Sequence, residues 1–150
     1  MFRGTFEHTI DDKGRVSVPV RFREVLRGND DDRVVITNFF IGTARCLDVY
    51  THADWKELEQ RLQEKPQFDP RVVRFQNYYI AGAHDCAIDK QGRILLPPTL
   101  REYAGLDRDV VFTSGLRKFR IWNMETWRQV FGDAERALME RPEDLTELGI

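Results

Sequence analysis

The strongest constraint on this chain is an internal repeat. Residues 10–19 read IDDKGRVSVP, and residues 88–97 read IDKQGRILLP. An offset of 78 positions superimposes these segments, and apolar runs further along correspond after smaller offsets of 76 and 72. Offsets that change only in loops are typical of a duplicated unit with insertions and deletions, because loops tolerate length changes best. The chain is therefore expected to contain two copies of one unit.

Each copy has the pattern of a β-hairpin. Apolar and polar side chains alternate at 6–10 and again at 16–18, as in half-buried strands. Between them, Asp11 can accept hydrogen bonds from backbone N–H groups of the turn, and Gly14 can adopt the positive φ that a tight turn requires. The second copy has the same turn-organising residues, Asp89 and Gly92.

A proline follows the second strand of each copy and indicates the start of a helix. Pro19 and Pro97 cannot continue a central strand, but proline suits the first turn of a helix, where its missing N–H costs nothing. Short helices are expected at 19–27 and 98–104. The glycines that would cap them in the left-handed conformation are Gly28 and Gly105.

The rest of each half has the same order of elements, which predicts an α+β fold with antiparallel strands and peripheral helices. After a polar turn at 28–32, strands are expected at 33–37 and 46–51, with a helix around Trp55. Their counterparts are strands at 109–113 and 118–123 and a helix from Met124; a helix at 71–79 precedes the second copy. The expected domains are a first repeat at 1–64, a linker at 65–70, a second repeat at 71–140 and an acidic tail at 141–150.

Composition indicates a globular protein. The chain is 41% hydrophobic and 32% charged, which is compatible with a buried core. Met1 leads directly into the repeat without a signal-like segment, and no apolar run approaches the roughly 20 residues of a membrane span. We therefore expect a soluble cytoplasmic protein. Two cysteines are too few for a disulfide framework, so Cys46 and Cys86 are expected to be reduced, buried thiols.

Charge is distributed unevenly along the chain. The formal net charge is −2, but residues 133–150 contain six acids and two bases, which leaves 21 bases and 19 acids in residues 1–132. A locally basic surface attracts phosphate whatever the total charge of the molecule. The acidic overall balance therefore does not exclude a nucleic-acid partner.

The main candidates for a binding role are two arginines. Arg15 and Arg93 each lie four residues after a turn aspartate. One interpretation is an ion pair that only stabilises the turn, although an exposed pair contributes only about 0–1 kcal/mol. The other is that a rigid turn projects the guanidinium toward phosphates and guanine edges, both of which it can bind bidentately. The spacing alone leaves both interpretations open.

Other basic residues near the turns have weaker patterns. Lys13 and Lys90 lie in the two turns but not in register, so they are either phosphate contacts or solvated turn lysines. Arg23 and Arg101 occupy equivalent places on the short helices, and each is followed by Glu. That arrangement suggests a structural pairing at least as much as a DNA contact.

Catalysis finds little support in the sequence. No Ser or Cys has a His or an acid at a spacing typical of a nucleophile, and there is no glycine-rich phosphate loop or zinc motif. His8, His84 and Cys86 are too scattered to define a metal site. We expect no enzymatic activity, no cofactor, no metal and no small-molecule substrate.

The doubled motif and the opening Met1-Phe2-Arg3-Gly4 resemble the MraZ family over about residues 1–140. Its members are bacterial transcriptional regulators with two tandem swapped-hairpin units of the SpoVT/AbrB type. The resemblance implies repeats related by an internal pseudo-two-fold axis, with promoter DNA bound at the two turns that carry Asp11 and Arg15 and Asp89 and Arg93. It also implies a ring-shaped homo-oligomer, association with the nucleoid and control of the division and cell-wall gene cluster. Two departures are the extra acid Asp12 and the doubled proline at Pro98.

Two alternative functions remain open at this stage. In an oligomeric scaffold, the arginine turns would serve folding alone. An antitoxin-like partner of a toxin would use the same DNA-binding unit and a disordered tail. Residues after Asp133 are few and partly helical in pattern, and the last eight or so are expected to be frayed.

Overall fold

The β-strands form one large sheet and one small ribbon in the computed structural model, which describes residues 1–28 and 32–150. The sheet has six strands in the order β1-β7-β8-β4-β3-β5, all antiparallel, and β2 and β6 form the ribbon. The strands are β1 (Thr5–Thr9), β2 (Arg15–Ser17), β3 (Arg33–Ile41), β4 (Ala44–Thr51), β5 (His84–Ala87), β6 (Arg93–Leu95), β7 (Asp109–Gly115) and β8 (Lys118–Asn123).

Helices follow the strands at the places where capping residues occur. Thr51 accepts a hydrogen bond from the Asp54 N–H, and Asn123 accepts bonds from the first turn of its helix. Asp69 and Pro70 start the helix after the expected linker. The helices are α1 (Val20–Gly28), α2 (His52–Gln63), α3 (Pro70–Phe75), a π-helix (Gln76–Ile80), α4 (Pro98–Tyr103), α5 (Met124–Glu140) and α6 (Glu143–Glu147).

The two strands of each repeated motif do not pair with each other, so the prediction of a local hairpin is wrong. The turn itself closes, because the Asp11 N–H donates to the Arg15 carbonyl at 2.9 Å. However, β1 pairs with β7, and β2 pairs with β6, with Val16 opposite Ile94. The alternation of apolar and polar residues predicts that a segment is a strand and which of its faces is buried. It does not predict which other strand pairs with that segment, because this depends on packing between distant parts of the chain. Each motif therefore exchanges its pairing with the other half of the chain.

When each strand is exchanged with its counterpart in the other half, the strand order is the same as before, counted from the opposite edge of the sheet. The counterparts are β1 and β5, β3 and β7, and β4 and β8. The registers correspond as well, since Phe6 lies opposite Phe112 and His84 lies opposite Ile36. The middle of the sheet is the β4–β8 pair, in which Asp48 lies opposite Arg120. Each half thus contributes three strands to one continuous sheet.

Two hydrophobic clusters cover opposite faces of the sheet. Strand β3 alternates between them, because Val34 belongs to one cluster and Val35 to the other. The larger cluster contains the ribbon and the short helices, represented by Val16 and Phe22. The smaller one lies under α2 and the π-helix and contains Trp55. The ribbon is therefore an outer layer on one side of the sheet.

Several local predictions can be checked directly. Gly105 has a φ of +63° as expected, but Gly28 is the last residue of α1 and does not have a positive φ, so the second prediction is wrong. The expected polar turn at 28–32 lies largely outside the described residues. The helix expected at 71–79 is confirmed: it begins at Pro70 and its last turn is a π-helix. Both thiols are buried and free, and burial raises the pKa of Cys86 to about 11.

Part of the end of the chain that was expected to be frayed is helical. Helix α5 extends to Glu140, and after Pro142 a further short helix, α6, begins. Glu143 and Asp144 lie in its first turn, where the helix dipole favours negative charge. In the described part of the chain, no helix has the length and apolar character needed to cross a membrane.

Candidate nucleic-acid interface

The two candidate arginines lie on the same side of the β2–β6 ribbon. Val16 and Ile94 are fully buried under the ribbon, and side chains alternate along a strand. Arg15 and Arg93, one residue away from them, therefore point to the opposite, outer side. Arg15 pairs with Leu95, two residues beyond Arg93. The two arginines are thus diagonal neighbours, with a typical separation of about 7–8 Å between Cα atoms.

The first turn is organised by one carboxylate. Asp11 Oδ1 accepts hydrogen bonds from the N–H groups of Lys13 and Arg15, both at 2.9 Å. Its Oδ2 accepts a bond from Arg15 Nε at 2.8 Å. Gly14, with a φ of +85°, donates its N–H to the Asp11 carbonyl. One aspartate therefore fixes both the backbone of the turn and the direction of the arginine side chain.

These hydrogen bonds lower the pKa of both turn aspartates. The pKa of Asp11 is lowered to about 2; the largest cause is the hydrogen bond from the backbone N–H of Arg15, and the Arg15 side chain also contributes. The pKa of Asp89 is lowered as well, again with the backbone N–H of Arg93 as the largest cause. Both carboxylates are therefore available as acceptors at neutral pH.

The second turn repeats this geometry with one difference. Asp89 Oδ1 accepts from the N–H groups of Gln91 and Arg93 at 2.9 Å, and its Oδ2 accepts from Arg93 Nε at 3.2 Å. In addition, Arg93 Nη2 donates to Gln91 Oε1 at 2.5 Å. Lys13 stands at the position of Gln91 in the first turn, and the terminal nitrogens of Arg15 make no hydrogen bond within residues 1–28 and 32–150. The Arg15 side chain is 33% exposed and that of Arg93 is 28% exposed.

A helix arginine from the opposite half covers each turn glycine. A Cβ atom added to Gly14 would lie 2.9 Å from Arg101 Cζ, and one added to Gly92 would lie 2.3 Å from Arg23 Nη1. Such distances are shorter than real Cβ contacts, but the arginine ends are flexible and can shift, so glycine is required here chiefly for its positive φ. Each of these arginines thus contacts a turn glycine of the other repeat.

The lysines lie beside these arginines at two corners of the ribbon. Lys13 and Arg101 line a cleft of about 520 Å³ next to the first turn. Lys90 and Arg23 line a cavity of about 220 Å³ next to the second turn, together with Arg27. Asp85 also lines the first cleft, and Asp32 and Asp89 line the second, so each corner combines cations from both halves with neighbouring acids.

Sequence reasoning missed a buried charge cluster on the other face of the sheet. Asp48 is fully buried and accepts hydrogen bonds from Lys118 Nζ at 3.0 Å and Arg120 Nε at 2.9 Å. Tyr79 of the π-helix also donates to this carboxylate. Burial raises the pKa of Tyr79, and the Asp48 charge raises it further, so the hydroxyl stays protonated. In the repeat alignment with an offset of 72, Asp48 corresponds to Arg120. An acid and a base at equivalent positions of the two halves could have indicated this cluster.

Two similar halves, one shared antiparallel sheet and a ribbon that carries two arginine turns define a tandem-repeat α+β protein. A family model described as "MraZ protein, putative antitoxin-like" matches residues 1–77 and 79–148. The chain belongs to the MraZ family.

Similar proteins share nearly the whole chain. A transcriptional regulator MraZ of Desulfitobacterium hafniense (strain DSM 10664 / DCB-2) is 43% identical over 150 residues, which is 100% of both chains. Proteins of the same name are 40% identical in Desulforamulus reducens, over 148 residues and 99% of each chain. In Thermoanaerobacter pseudethanolicus the identity is 40% over 150 residues and 100% of each chain.

Proposed function

We propose that the chain is a sequence-specific DNA-binding transcriptional regulator, with the outer face of the β2–β6 ribbon as its DNA-binding surface. The observation that carries the proposal is that Arg15 and Arg93 share this face, each held by an aspartate of its own turn. The name of the relatives, transcriptional regulator, supports the same role. No enzymatic reaction is part of the proposal.

Each residue of the turns has a separate role in this proposal. Arg15 and Arg93 bind guanine edges or phosphates, because a two-stranded ribbon fits the major groove and a guanidinium can make two parallel hydrogen bonds. Lys13 and Lys90 contact phosphates as point charges. The remaining four residues hold the turns in shape: Asp11, Gly14, Asp89 and Gly92.

We also propose that the halves are swapped-hairpin repeats related by an internal pseudo-two-fold axis. The exchangeable strand order and the pairing of β2 with β6 support this relation. The proposed repeats are residues 1–64 and 71–140, with a linker at 65–70 and the acidic segment at 141–150. The interval between the end of α2 and the start of α3 supports the linker.

Affinity is proposed to come from several turns on one ring-shaped homo-oligomer. Fusion of two units satisfies their mutual pairing within one chain, which leaves outer surfaces for head-to-tail contacts that can close into a ring. Turns that are weak singly gain affinity when they read repeated promoter boxes at a high effective concentration. The proposed target is the promoter of the division and cell-wall gene cluster, with the protein associated with the nucleoid.

The decisive experiment removes both arginines at once. The double variant Arg15→Ala/Arg93→Ala should lose retention of a duplex from upstream of the protein's own gene, while its elution volume in size-exclusion chromatography stays the same. The matched control is Lys56→Ala/Arg61→Ala, which removes two exposed cations from α2 on the other face of the sheet. This control should retain the duplex.

An oligomeric scaffold is the competing function, because each turn arginine also has a protein partner. A double arginine variant that shifts the duplex as well as the native protein does would favour the scaffold. A footprint on the upstream region, with protection that recurs at short intervals, would support the regulator. Binding should also weaken steeply as salt increases, because many phosphates are neutralised.

A further inference from the structure

We propose that Arg101 and Arg23 are positioning residues, each of which holds the DNA-contacting turn of the opposite repeat in shape. The inference rests on the proposed function, since it concerns how the two turns are made competent to bind DNA. It goes further by making each turn a composite of both halves. A turn in one repeat would then be incomplete without the helix of the other.

The first support is that each turn glycine is held on two sides by the opposite half. The Gly14 carbonyl accepts a hydrogen bond from the Leu96 N–H at 3.0 Å, and the Gly92 carbonyl accepts one from the Val18 N–H at 2.9 Å. The same glycines are covered at Cα by the helix arginines. Both contacts come from a single short segment, the end of a ribbon strand and the helix after it. The turn and that segment therefore cannot move independently.

The second support is the way Arg23 is anchored. Arg23 Nε donates to the Val18 carbonyl at 3.0 Å, and the Val18 N–H donates to Gly92. The guanidinium then lies against Gly92 itself. Val18, Gly92 and Arg23 thus form a closed set of contacts. In this set, a displacement of the arginine is transmitted directly to the second turn.

Arg101 differs from Arg23 in its hydrogen bonding, and this difference allows the effects of shape and charge to be tested separately. Its Nε is buried and has no hydrogen-bond partner among the described residues. A buried, unpaired donor is costly, so the side chain is not retained for a hydrogen bond of its own. What it supplies is a flat group packed on Gly14, next to the Arg15 N–H that Asp11 binds. The first turn should therefore depend on the shape of residue 101 more than on its charge.

The test on the free protein is amide hydrogen exchange followed by NMR. Arg101→Ala should speed exchange of the Arg15 N–H by about tenfold and leave the Arg93 N–H unchanged. Arg101→Met, which keeps length without charge, should restore most of the protection. Arg23→Ala should have the reciprocal effect on the Arg93 N–H. Arg21→Ala, an exposed arginine on the same helix as Arg23, is the control and should change neither.

Two results of this measurement would overturn the inference. One is an Arg15 N–H whose exchange does not respond to Arg101→Ala. The other is equal acceleration at both turns, which would mean general destabilisation of the fold and not a directed contact. The melting temperature of each variant, recorded in parallel, identifies the second case.

Binding of the upstream duplex separates positioning from direct contact. Arg101→Ala should weaken binding about tenfold without changing the dependence of log K on log salt, because no phosphate contact is lost. A slope that falls by about 0.9 would identify Arg101 as a phosphate ligand and overturn the positioning role. If the native protein does not bind the duplex, the proposed function fails, while the exchange experiment still decides whether the turns are coupled across the repeats.

Discussion

At the scale of single residues, the Asp11 carboxylate combines two tasks that one substitution can separate. In Asp11→Asn, the remaining oxygen can still accept backbone N–H groups, but the new amide nitrogen cannot accept from Arg15 Nε. The turn should therefore persist while the arginine is released. We expect a nearly unchanged melting temperature and a clear loss of DNA affinity, measured by fluorescence anisotropy.

The neighbouring acid provides the control for that substitution. Asp12 is exposed in the same turn and makes no hydrogen bond or ion pair within the described residues. Asp12→Asn removes the same charge, and it should leave DNA affinity unchanged or raise it, because one acid near the proposed interface is gone. Equal losses in both variants would contradict a specific role for Asp11.

The titration of Asp11 tests the origin of its low pKa. Its pKa lies at about 2 in the folded chain, below the ordinary 3.8, so the unfolded chain binds more protons between these values. The contribution of Asp11 to stability is thus complete above pH 3.8 and is lost as the pH falls toward 2. NMR titration of its side-chain carbonyl should show this low midpoint. Arg15→Ala should raise the midpoint only part of the way toward 3.8, because the backbone N–H of residue 15, the largest cause of the low pKa, remains after the substitution. A midpoint near 3.8 in the native protein would show that these hydrogen bonds do not lower the pKa of Asp11.

At the scale of secondary structure, the local elements could be predicted and their partners could not. Proline, glycine and aspartate mark turns and helix starts by chemistry that is local to the chain, which is why the turns at Gly14 and Gly92 were found. Pairing of β2 with β6, and contact of Arg101 with Gly14, bring together residues about 80 positions apart. No local pattern encodes such contacts. Asp48 was missed for a related reason: in β4 it occupies a position that alternation assigns to the solvent side, but the π-helix covers it.

The cluster around Asp48 should be important for stability. Asp48→Ala leaves Lys118 and Arg120 without their shared partner on a largely covered face of the sheet. Removal of one member of a buried ion pair typically costs about 3–5 kcal/mol. Tyr79→Phe removes a neutral hydroxyl that donates to the charged carboxylate, and it should cost about 1.5–3 kcal/mol. Urea unfolding of both variants measures the difference, and equal costs would mean that the two cations find other partners.

At the scale of the whole molecule, four strand pairs join the two halves in the described part of the chain. The strand pairs β1–β7, β4–β8, β3–β5 and β2–β6 all cross from one half to the other. The strand registers are equivalent in the two halves. Backbone pairing alone would therefore allow two copies of the first half to form the same sheet as the first and second halves do. The middle of the sheet argues against that pairing. It would place Asp48 opposite a second Asp48, whereas the intact chain has Arg120 there.

Like charges directly opposite in a sheet are destabilising, and a buried carboxylate without a cation is worse. We therefore expect residues 1–82 and residues 83–150 to associate in a 1:1 complex when co-expressed. The first fragment alone should be poorly folded, as judged by circular dichroism and light scattering. In that fragment, Asp48→Asn should promote self-association, because it removes the repulsion at the centre of the sheet. A native first fragment that folds as a stable homodimer would show that Asp48 and Arg120 do not select the pairing of unlike halves.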